Sequence, residues 1–96
     1  MGDLNVLIVD DSPEDAEIHA RMLRQAWPGR VVVRVAPLGE DGLSQLQVEP
    51  PDCVLLDYNL PDMTGLEFLA AFPGTCAVIF VTGLGDENLA VKAPVS

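Results

Sequence analysis

Four polar side chains in this sequence come at or just after the end of a short apolar run: Asp10, Asp11, Asp57 and Thr82. Three of them are carboxylates, and carboxylates held together repel each other by roughly several kcal/mol at the effective dielectric of a protein surface. A hard divalent cation relieves that repulsion, and Mg²⁺ combines one or two carboxylates with a phosphate. If the fold gathers these side chains, they predict a Mg²⁺ site that handles phosphate.

A simpler interpretation is that acids placed after strands only cap helices. For a lone Asp this interpretation would be preferred. Here Ser12 directly follows Asp11 and is the better cap. Three acids in equivalent positions therefore favour a metal site.

The elements that must position these residues follow from an alternation of apolar runs and helical patterns. Continuous apolar runs are typical of strands that are buried on both faces of a sheet. The predicted strands are residues 5–9, 31–35, 53–56 and 77–81. The predicted helices begin at Pro13, near Gly39, at Gly65 and at Asp86, the last of them extending to Ala93 before Pro94.

Strands that are joined by helical crossovers form a parallel sheet with helices on both faces, so the fold class is α/β. Ligands of such sheets bind beyond the carboxyl ends of the strands. That edge is where the three acids and Thr82 are placed, so we expect them to converge on one site.

The first helix carries the clearest start signals. Ser12 suits the N-cap, Pro13 suits the first helical position, and Glu14 and Asp15 favour the positive end of the helix dipole. Trp27-Pro28-Gly29 ends the helix. Its predicted apolar stripe consists of Ile18, Met22, Leu23, Ala26 and Trp27.

Composition excludes several classes of function. The 96 residues carry 15 acidic and 5 basic side chains, a net charge of -10, which argues against nucleic acid as a direct partner. No apolar run is long enough to span a membrane, and the N-terminus does not resemble a signal peptide. Cys53 and Cys76 are expected to be free thiols in a reducing compartment, so a cytoplasmic location is expected. His19 lies alone in the middle of a helix and is expected to be ordinary packing.

Three segments of the chain are specific enough to indicate a family. They are Val9-Asp10-Asp11-Ser12, then Leu55-Leu56-Asp57-Tyr58-Asn59-Leu60-Pro61-Asp62-Met63-Thr64-Gly65, and finally Val81-Thr82-Gly83. In this order, these segments resemble the signatures of response regulator receiver domains, which act in bacterial two-component signal transduction. The resemblance runs from Leu4 to about Ala93, nearly the whole chain.

The resemblance implies a role for each matching residue. Asp57 would be the phosphoacceptor, taking a phosphoryl group from a sensor histidine kinase or a histidine phosphotransfer protein. Mg²⁺ would be bound by Asp10, Asp11, Asp57 and the backbone carbonyl of Asn59. Thr82 would hydrogen-bond a phosphoryl oxygen after transfer. The chain would be an acceptor that phosphorylates itself at most, not a turnover enzyme.

The resemblance also implies a flavodoxin-like doubly wound sheet, from which this chain departs at its end. We expect one receiver-like domain over residues 1–96, truncated after the start of the fourth helix, with strand order 2-1-3-4. The fifth strand and fifth helix are expected to be missing, and with them the family's lysine, which Lys92 does not replace. The edge of the fourth strand would then be free, and free edges recruit another chain. We therefore expect self-association, for instance as a homodimer through that edge; the alternative is that the sequence is a fragment of a longer protein in which the missing strand exists.

Two other functions remain open at this point. One is a degenerate receiver that is never phosphorylated and acts as a protein-interaction or dimerisation module. The other is a fragment of an aspartate-nucleophile phosphatase, but those enzymes usually place a second Asp two residues after the nucleophile, where this chain has Asn59.

Overall fold

Five strands and three helices lie within residues 2–72, 76–81 and 90–93, which are the residues that the computed structural model describes. In chain order they are β1 (Leu4–Val9), α1 (Pro13–Ala26), β2 (Val31–Ala36), α2 (Gly39–Val48), β3 (Cys53–Asp57), α3 (Gly65–Ala71), β4 (Ala77–Val81) and β5 (Ala90–Ala93). The four predicted apolar runs are all strands, with bounds that differ by at most one residue at either end.

The strands form one sheet in the order β2-β1-β3-β4-β5. Strands β1 to β4 are parallel, which confirms the predicted order 2-1-3-4 and the predicted class of fold. Val9 at the end of β1 is paired with Leu56, and Asp57 at the end of β3 is paired with Val81. The carboxyl ends of β1, β3 and β4 therefore lie side by side, as the site requires.

The helix predicted from Asp86 to Ala93 is wrong over Ala90–Ala93, which form β5. This strand runs antiparallel to β4, with Lys92 opposite Ile79 in the register. Val91 is β-branched, and the residue before Pro94 is disfavoured in the helical region, so the local preference for a helix is weak. The hydrogen-bonding groups along β4 then decide the conformation. Residues 86–89 of the predicted helix lie outside the described residues.

The expectation of a free β4 edge is corrected by the same strand. Beside β4, where the family's parallel fifth strand was expected to be missing, the antiparallel β5 supplies backbone partners. The reason given for self-association through the β4 edge therefore does not hold. An unpaired strand edge is costly to leave open, and here the chain itself covers it.

Apolar side chains on the two faces of the sheet form two separate clusters, as expected for strands that are buried on both sides. One face packs against α2 and α3 through Leu46, Phe68 and Phe72. The other packs against α1 through Ala16 and Ala20. Val6, Leu7, Ile8 and Val9 of β1 are completely buried, which makes this central strand a rigid support for the residues that follow it.

The first helix begins as predicted, and its predicted apolar stripe is confirmed only in part. Ser12 is its N-cap, and the Ser12 Oγ accepts a hydrogen bond from the Asp15 N–H at 3.3 Å. Leu23 and Trp27 pack against the sheet as predicted, but Met22 is 59% exposed and Ala26 is also exposed, so their predicted places in the stripe are wrong. Ala16 and Ala20 face the sheet instead, because small side chains let the helix approach the strands closely.

Within the described part of the chain, none of the helices has the length and apolar character that crossing a membrane demands.

Candidate functional site

Strand β1 carries Asp10 to the carboxyl edge of the sheet and buries it there. The backbone N–H of Asp10 donates to the carbonyl of Ala36 at 3.0 Å, so the ladder between β1 and β2 continues through this residue. The Asp10 side chain is 3% exposed, and its Oδ1 accepts a hydrogen bond from the Ser12 N–H at 2.9 Å. A carboxylate is rarely buried this deeply unless it has a partner or a function.

Strand β3 delivers Asp57 to the same edge from the neighbouring position in the sheet. Asp57 is the last residue of the strand and is half-buried. One carboxylate oxygen accepts a hydrogen bond from the Asn59 N–H at 3.3 Å. This local turn holds the Asp57 carboxylate at the strand end.

Three carboxylates meet at this edge. One oxygen each from Asp10, Asp11 and Asp57 lies within 4.8 Å of the others. Asp10 is buried, Asp57 is half-buried and Asp11 is exposed, so the cluster runs from the core to solvent. The convergence expected from the strand ends is therefore present for these three residues.

The environment of Asp10 and Asp57 disfavours the ionised form of each. Burial raises the pKa of Asp10 to about 6, and the charge of Asp57 adds to the rise, while the hydrogen bond from Ser12 opposes it. Burial also raises the pKa of Asp57, with the charge of Asp11 acting in the same direction and the hydrogen bond from Asn59 opposing. Within the described residues, no basic side chain is among the groups that shift either pKa.

The first turn of α1 adds a fourth acid near the cluster. The charge of Asp15 raises the pKa of both Asp10 and Asp57. The sequence gives Asp15 only a role at the helix N-terminus, because its proximity to Asp57 depends on how α1 crosses the end of the sheet.

The loop between β3 and α3 is closed by its own backbone. The Gly65 N–H donates to the Tyr58 carbonyl at 2.7 Å, and the Leu60 N–H donates to the Met63 carbonyl at 3.1 Å. A Cβ on Gly65 would lie 2.6 Å from the Phe80 ring and 3.2 Å from the Tyr58 Cα, so only glycine fits here. Gly65 therefore has a steric role in the shape of this loop.

Two side chains stabilise the end of the loop. The Thr64 Oγ1 accepts from the Glu67 N–H at 3.1 Å, and a Glu67 carboxylate oxygen accepts from the Thr64 N–H at 2.8 Å. This reciprocal capping box starts α3 at a defined residue. The loop that follows Asp57 thus has a defined path at both ends.

One contact of this loop could not be predicted from the sequence. The carboxylate of Asp62 accepts hydrogen bonds from the N–H groups of Gly39 and Glu40, at 2.9 and 3.0 Å. These hydrogen bonds lower the pKa of Asp62, the one from Glu40 contributing most. The only local signal is that Leu38, the N-cap of α2, has no side chain able to cap.

The other predicted site residues have different outcomes. Asn59 is exposed, forms an antiparallel bridge with Thr64, and touches the cluster through its N–H. Thr82, the predicted partner of the phosphoryl group, lies outside the described residues, as does Gly83. His19 is half-buried in α1, and its Nδ1 makes no hydrogen bond within the described part of the chain.

The donor set of the cluster fits a hard divalent cation. All three donors are carboxylate oxygens, which Mg²⁺ prefers over nitrogen or sulfur ligands. Burial raises the pKa values of Asp10 and Asp57, neighbouring acidic charges add to the rise, and no basic side chain of the described residues opposes it. A bound cation would oppose this rise.

Comparison with known proteins agrees with this geometry. Residues 6–95 match the family described as the response regulator receiver domain. A positive alginate biosynthesis regulatory protein of Pseudomonas aeruginosa is 40% identical over 93 residues, which are 94% of this chain and 37% of that protein. The regulatory protein LuxO of Vibrio vulnificus is 32% identical over 89 residues, which are 90% of this chain and 19% of that protein.

Solved structures show the same fold. A CheY-like receiver domain from Methylobacillus flagellatus superposes with a TM-score of 0.75 at 25% identity, covering 85% of this chain and 71% of that one. A CheY-like receiver domain protein from Methanospirillum hungatei gives 0.72 at 30% identity, covering 85% and 66%. The chain spans well under half the length of the two curated relatives above. This chain belongs to the response regulator receiver domain family.

Proposed function

We propose that this chain is a phosphoacceptor in two-component signal transduction, with Asp57 as the residue that is phosphorylated. The observation that carries the proposal is the meeting of Asp10, Asp11 and Asp57, whose carboxylate oxygens lie within 4.8 Å of one another at the carboxyl edge of the sheet. An acid cluster of this kind costs stability, and a phosphoryl-transfer site is a reason to keep it.

The transfer is a nucleophilic substitution at phosphorus. A carboxylate oxygen of Asp57 attacks the phosphorus of a phosphohistidine in line with the P–N bond. The new O–P bond forms as the P–N bond breaks, and the electron pair of that bond returns to the imidazole nitrogen of the donor. The product is an acyl phosphate on Asp57.

Asp57 must be ionised to attack, and its surroundings work against ionisation. Burial and the charge of Asp11 raise the pKa of Asp57, which favours the protonated form. Asp10, Asp11, Asp57 and the carbonyl of Asn59 would hold Mg²⁺, which would supply positive charge to keep the carboxylates ionised and to offset charge on the phosphoryl oxygens. Thr82 stays the predicted hydrogen-bond donor to the transferred group.

The phosphodonor is a sensor histidine kinase or a histidine phosphotransfer protein, and the location is cytoplasmic. The strongly acidic composition supports a protein partner rather than nucleic acid, because nucleic acid would repel a chain with a net charge of -10.

The test is to incubate the protein with acetyl phosphate and Mg²⁺ and to measure intact mass. The expected result is the addition of one phosphoryl group, which disappears when Mg²⁺ is removed with EDTA. Beryllofluoride, which mimics an acyl phosphate, should bind under the same conditions and should be visible by fluorine NMR.

A receiver domain of known competence, treated in parallel, is the positive control. If that domain is modified and this chain is not, the proposal is wrong. The chain would then be a receiver that acts only through protein contacts.

A further inference from the structure

Helix α2 begins without a capping residue of its own. Its N-cap is Leu38, whose apolar side chain accepts no hydrogen bond. The first N–H groups of a helix have no partner within the helix and need one from elsewhere. In this chain the partner comes from a distant loop: Asp62 Oδ1 accepts from the Gly39 N–H at 2.9 Å and Asp62 Oδ2 accepts from the Glu40 N–H at 3.0 Å.

The same loop is packed tightly against the start of α2. Gly39 is buried, and a Cβ at this position would lie 2.6 Å from the Cγ and Sδ atoms of Met63. Met63 belongs to the partly buried residues that pack on the core face formed by α2 and α3. Loop and helix therefore meet through two hydrogen bonds and one close apolar contact, and a Cβ at position 39 would force the Met63 side chain to move.

Asp62 and Met63 lie on the loop that follows Asp57. Hydrogen bonds within this loop link these two residues to the part of the loop next to Asp57. Asn59 forms a backbone bridge with Thr64, and the Leu60 N–H bonds to the Met63 carbonyl. The Asn59 N–H in turn donates to the Asp57 carboxylate. Hydrogen bonds, joined by the backbone of adjacent loop residues, thus connect the start of α2 with the side chain of the proposed phosphoacceptor.

We propose that Asp62 is a positioning residue that couples α2 to the phosphoacceptor loop, holding residues 58–64 in the conformation that orients Asp57. The inference has a structural part, which is independent of phosphorylation, and a consequence for reaction rate, which rests on the proposed function. It differs from a role as a local helix cap, which would stabilise α2 and leave the loop unchanged.

Hydrogen exchange of single amides separates these two roles. The Leu60 and Gly65 amides are hydrogen-bonded within the loop, and neither bonds to Asp62. In Asp62→Ala we expect the Leu60 and Gly65 amides to exchange about tenfold faster than in the wild type. A change of this size corresponds to a loss of local stability equal to roughly one hydrogen bond. If only the Gly39 and Glu40 amides exchange faster, Asp62 is a helix cap alone and the proposal is overturned.

Asp52→Ala is the matched control. Asp52 is also an exposed acid whose carboxylate accepts a backbone hydrogen bond, from the Asn5 N–H at 2.7 Å, but it lies before β3 rather than after it. This variant should speed exchange at Asn5 and leave Leu60 and Gly65 unchanged. Equal acceleration of Leu60 and Gly65 in both variants would show general destabilisation and would count against the proposal.

Asp62→Asn separates positioning from charge. The amide keeps one oxygen and so keeps one of the two hydrogen bonds, but it has no charge. If Asp62 acts by positioning the loop, the rate of phosphorylation by acetyl phosphate at saturating Mg²⁺ should decrease in the order wild type, Asp62→Asn, Asp62→Ala. Asp62→Ala should be slower than the wild type by about tenfold. Equal rates for Asn and Ala would assign the effect to charge and overturn the positioning role.

The two proposals fail in different ways. If the wild type takes no phosphoryl group, the proposed function fails, while the exchange of Leu60 and Gly65 still decides whether Asp62 holds the loop. If the wild type is phosphorylated and Asp62→Ala reacts at the same rate with unchanged exchange, only the role of Asp62 fails.

Discussion

Acidic side chains stand at both ends of the parallel sheet, and their environments differ. Before β3, at the amino end, Asp52 is exposed and its carboxylate accepts a hydrogen bond from the Asn5 N–H, while its own N–H donates to the Asn5 carbonyl at 2.8 Å. At the carboxyl end, Asp10 and Asp57 are partly or wholly withdrawn from water and lie next to Asp11. Burial there raises the pKa of both Asp10 and Asp57.

The comparison distinguishes Asp52, which stabilises the fold, from Asp10 and Asp57, whose charges destabilise it. A carboxylate that accepts a backbone hydrogen bond in water contributes modestly to stability. A buried carboxylate beside other carboxylates costs free energy, because both desolvation and repulsion oppose its charge. The acids at the carboxyl end are therefore best explained by what they bind.

The largest expected effect is on phosphorylation. Asp57→Asn removes the attacking oxygen but preserves the shape of the side chain, so no phosphoryl group should be added from acetyl phosphate and Mg²⁺. Asp52→Asn should react like the wild type. Intact mass measures both, and persistent modification of Asp57→Asn would mean that another residue is the acceptor.

The next largest expected effect is a pH dependence of the free energy of unfolding of the metal-free protein. The Asp10 pKa is about 6 in the fold and 3.8 as its ordinary value, a difference that corresponds to about 3 kcal/mol. Between these pH values Asp10 keeps a proton in the folded state and releases it in the unfolded state. The contribution of this proton to the free energy of unfolding is therefore complete below pH 3.8 and is lost as the pH rises past about 6. Asp57, whose pKa is also raised, acts in the same direction.

Urea denaturation in EDTA at several pH values between 3.8 and about 6 checks this expectation. Asp10→Asn should weaken the pH dependence and should raise the free energy of unfolding at neutral pH. A wild-type protein whose stability is constant across this range would show that folding does not raise the pKa of Asp10.

A smaller effect is expected from Mg²⁺ itself. At ten times its dissociation constant, Mg²⁺ should raise the free energy of unfolding by about 1.4 kcal/mol, or the melting temperature by about 5–10 °C for a domain of this size. Differential scanning calorimetry at neutral pH measures the shift. Asp10→Asn should reduce it, and an equal shift in that variant would remove Asp10 from the metal site.

The smallest effect is expected for a substitution at the amino end of the parallel sheet. Asp52→Ala removes one exposed hydrogen-bond acceptor, so the free energy of unfolding should fall by about 0.5–1 kcal/mol. The shift in melting temperature with Mg²⁺ should stay the same as in the wild type. A change in that shift would mean that the two ends of the sheet are not independent.

How far the sequence predicts this molecule depends on whether a feature is local. The four parallel strands and the start of α1 at Ser12 follow from short-range patterns, because apolar runs and capping residues act within a few positions. The meeting of Asp10, Asp11 and Asp57 is also predictable, since the carboxyl ends of neighbouring parallel strands must lie at one edge.

Other features that depend on contacts between distant segments were not predicted. Ala90–Ala93 form a strand because β4 offers hydrogen-bonding groups, a reason that is absent from the local sequence. Ala16 and Ala20, rather than Met22, face the sheet because of the way α1 rotates onto the strands. Asp62 caps α2 only because the chain returns to the start of that helix after β3.

By itself the sequence determined the α/β alternation, the acids at the strand ends and the family signatures around Asp57, because each depends on residue type and short spacing. Only the tertiary structure decided how strongly Asp10 is buried, what covers the edge of β4 and which loop caps α2. These features come from desolvation and from hydrogen bonds between segments far apart in the chain, so they exist only once the chain has folded.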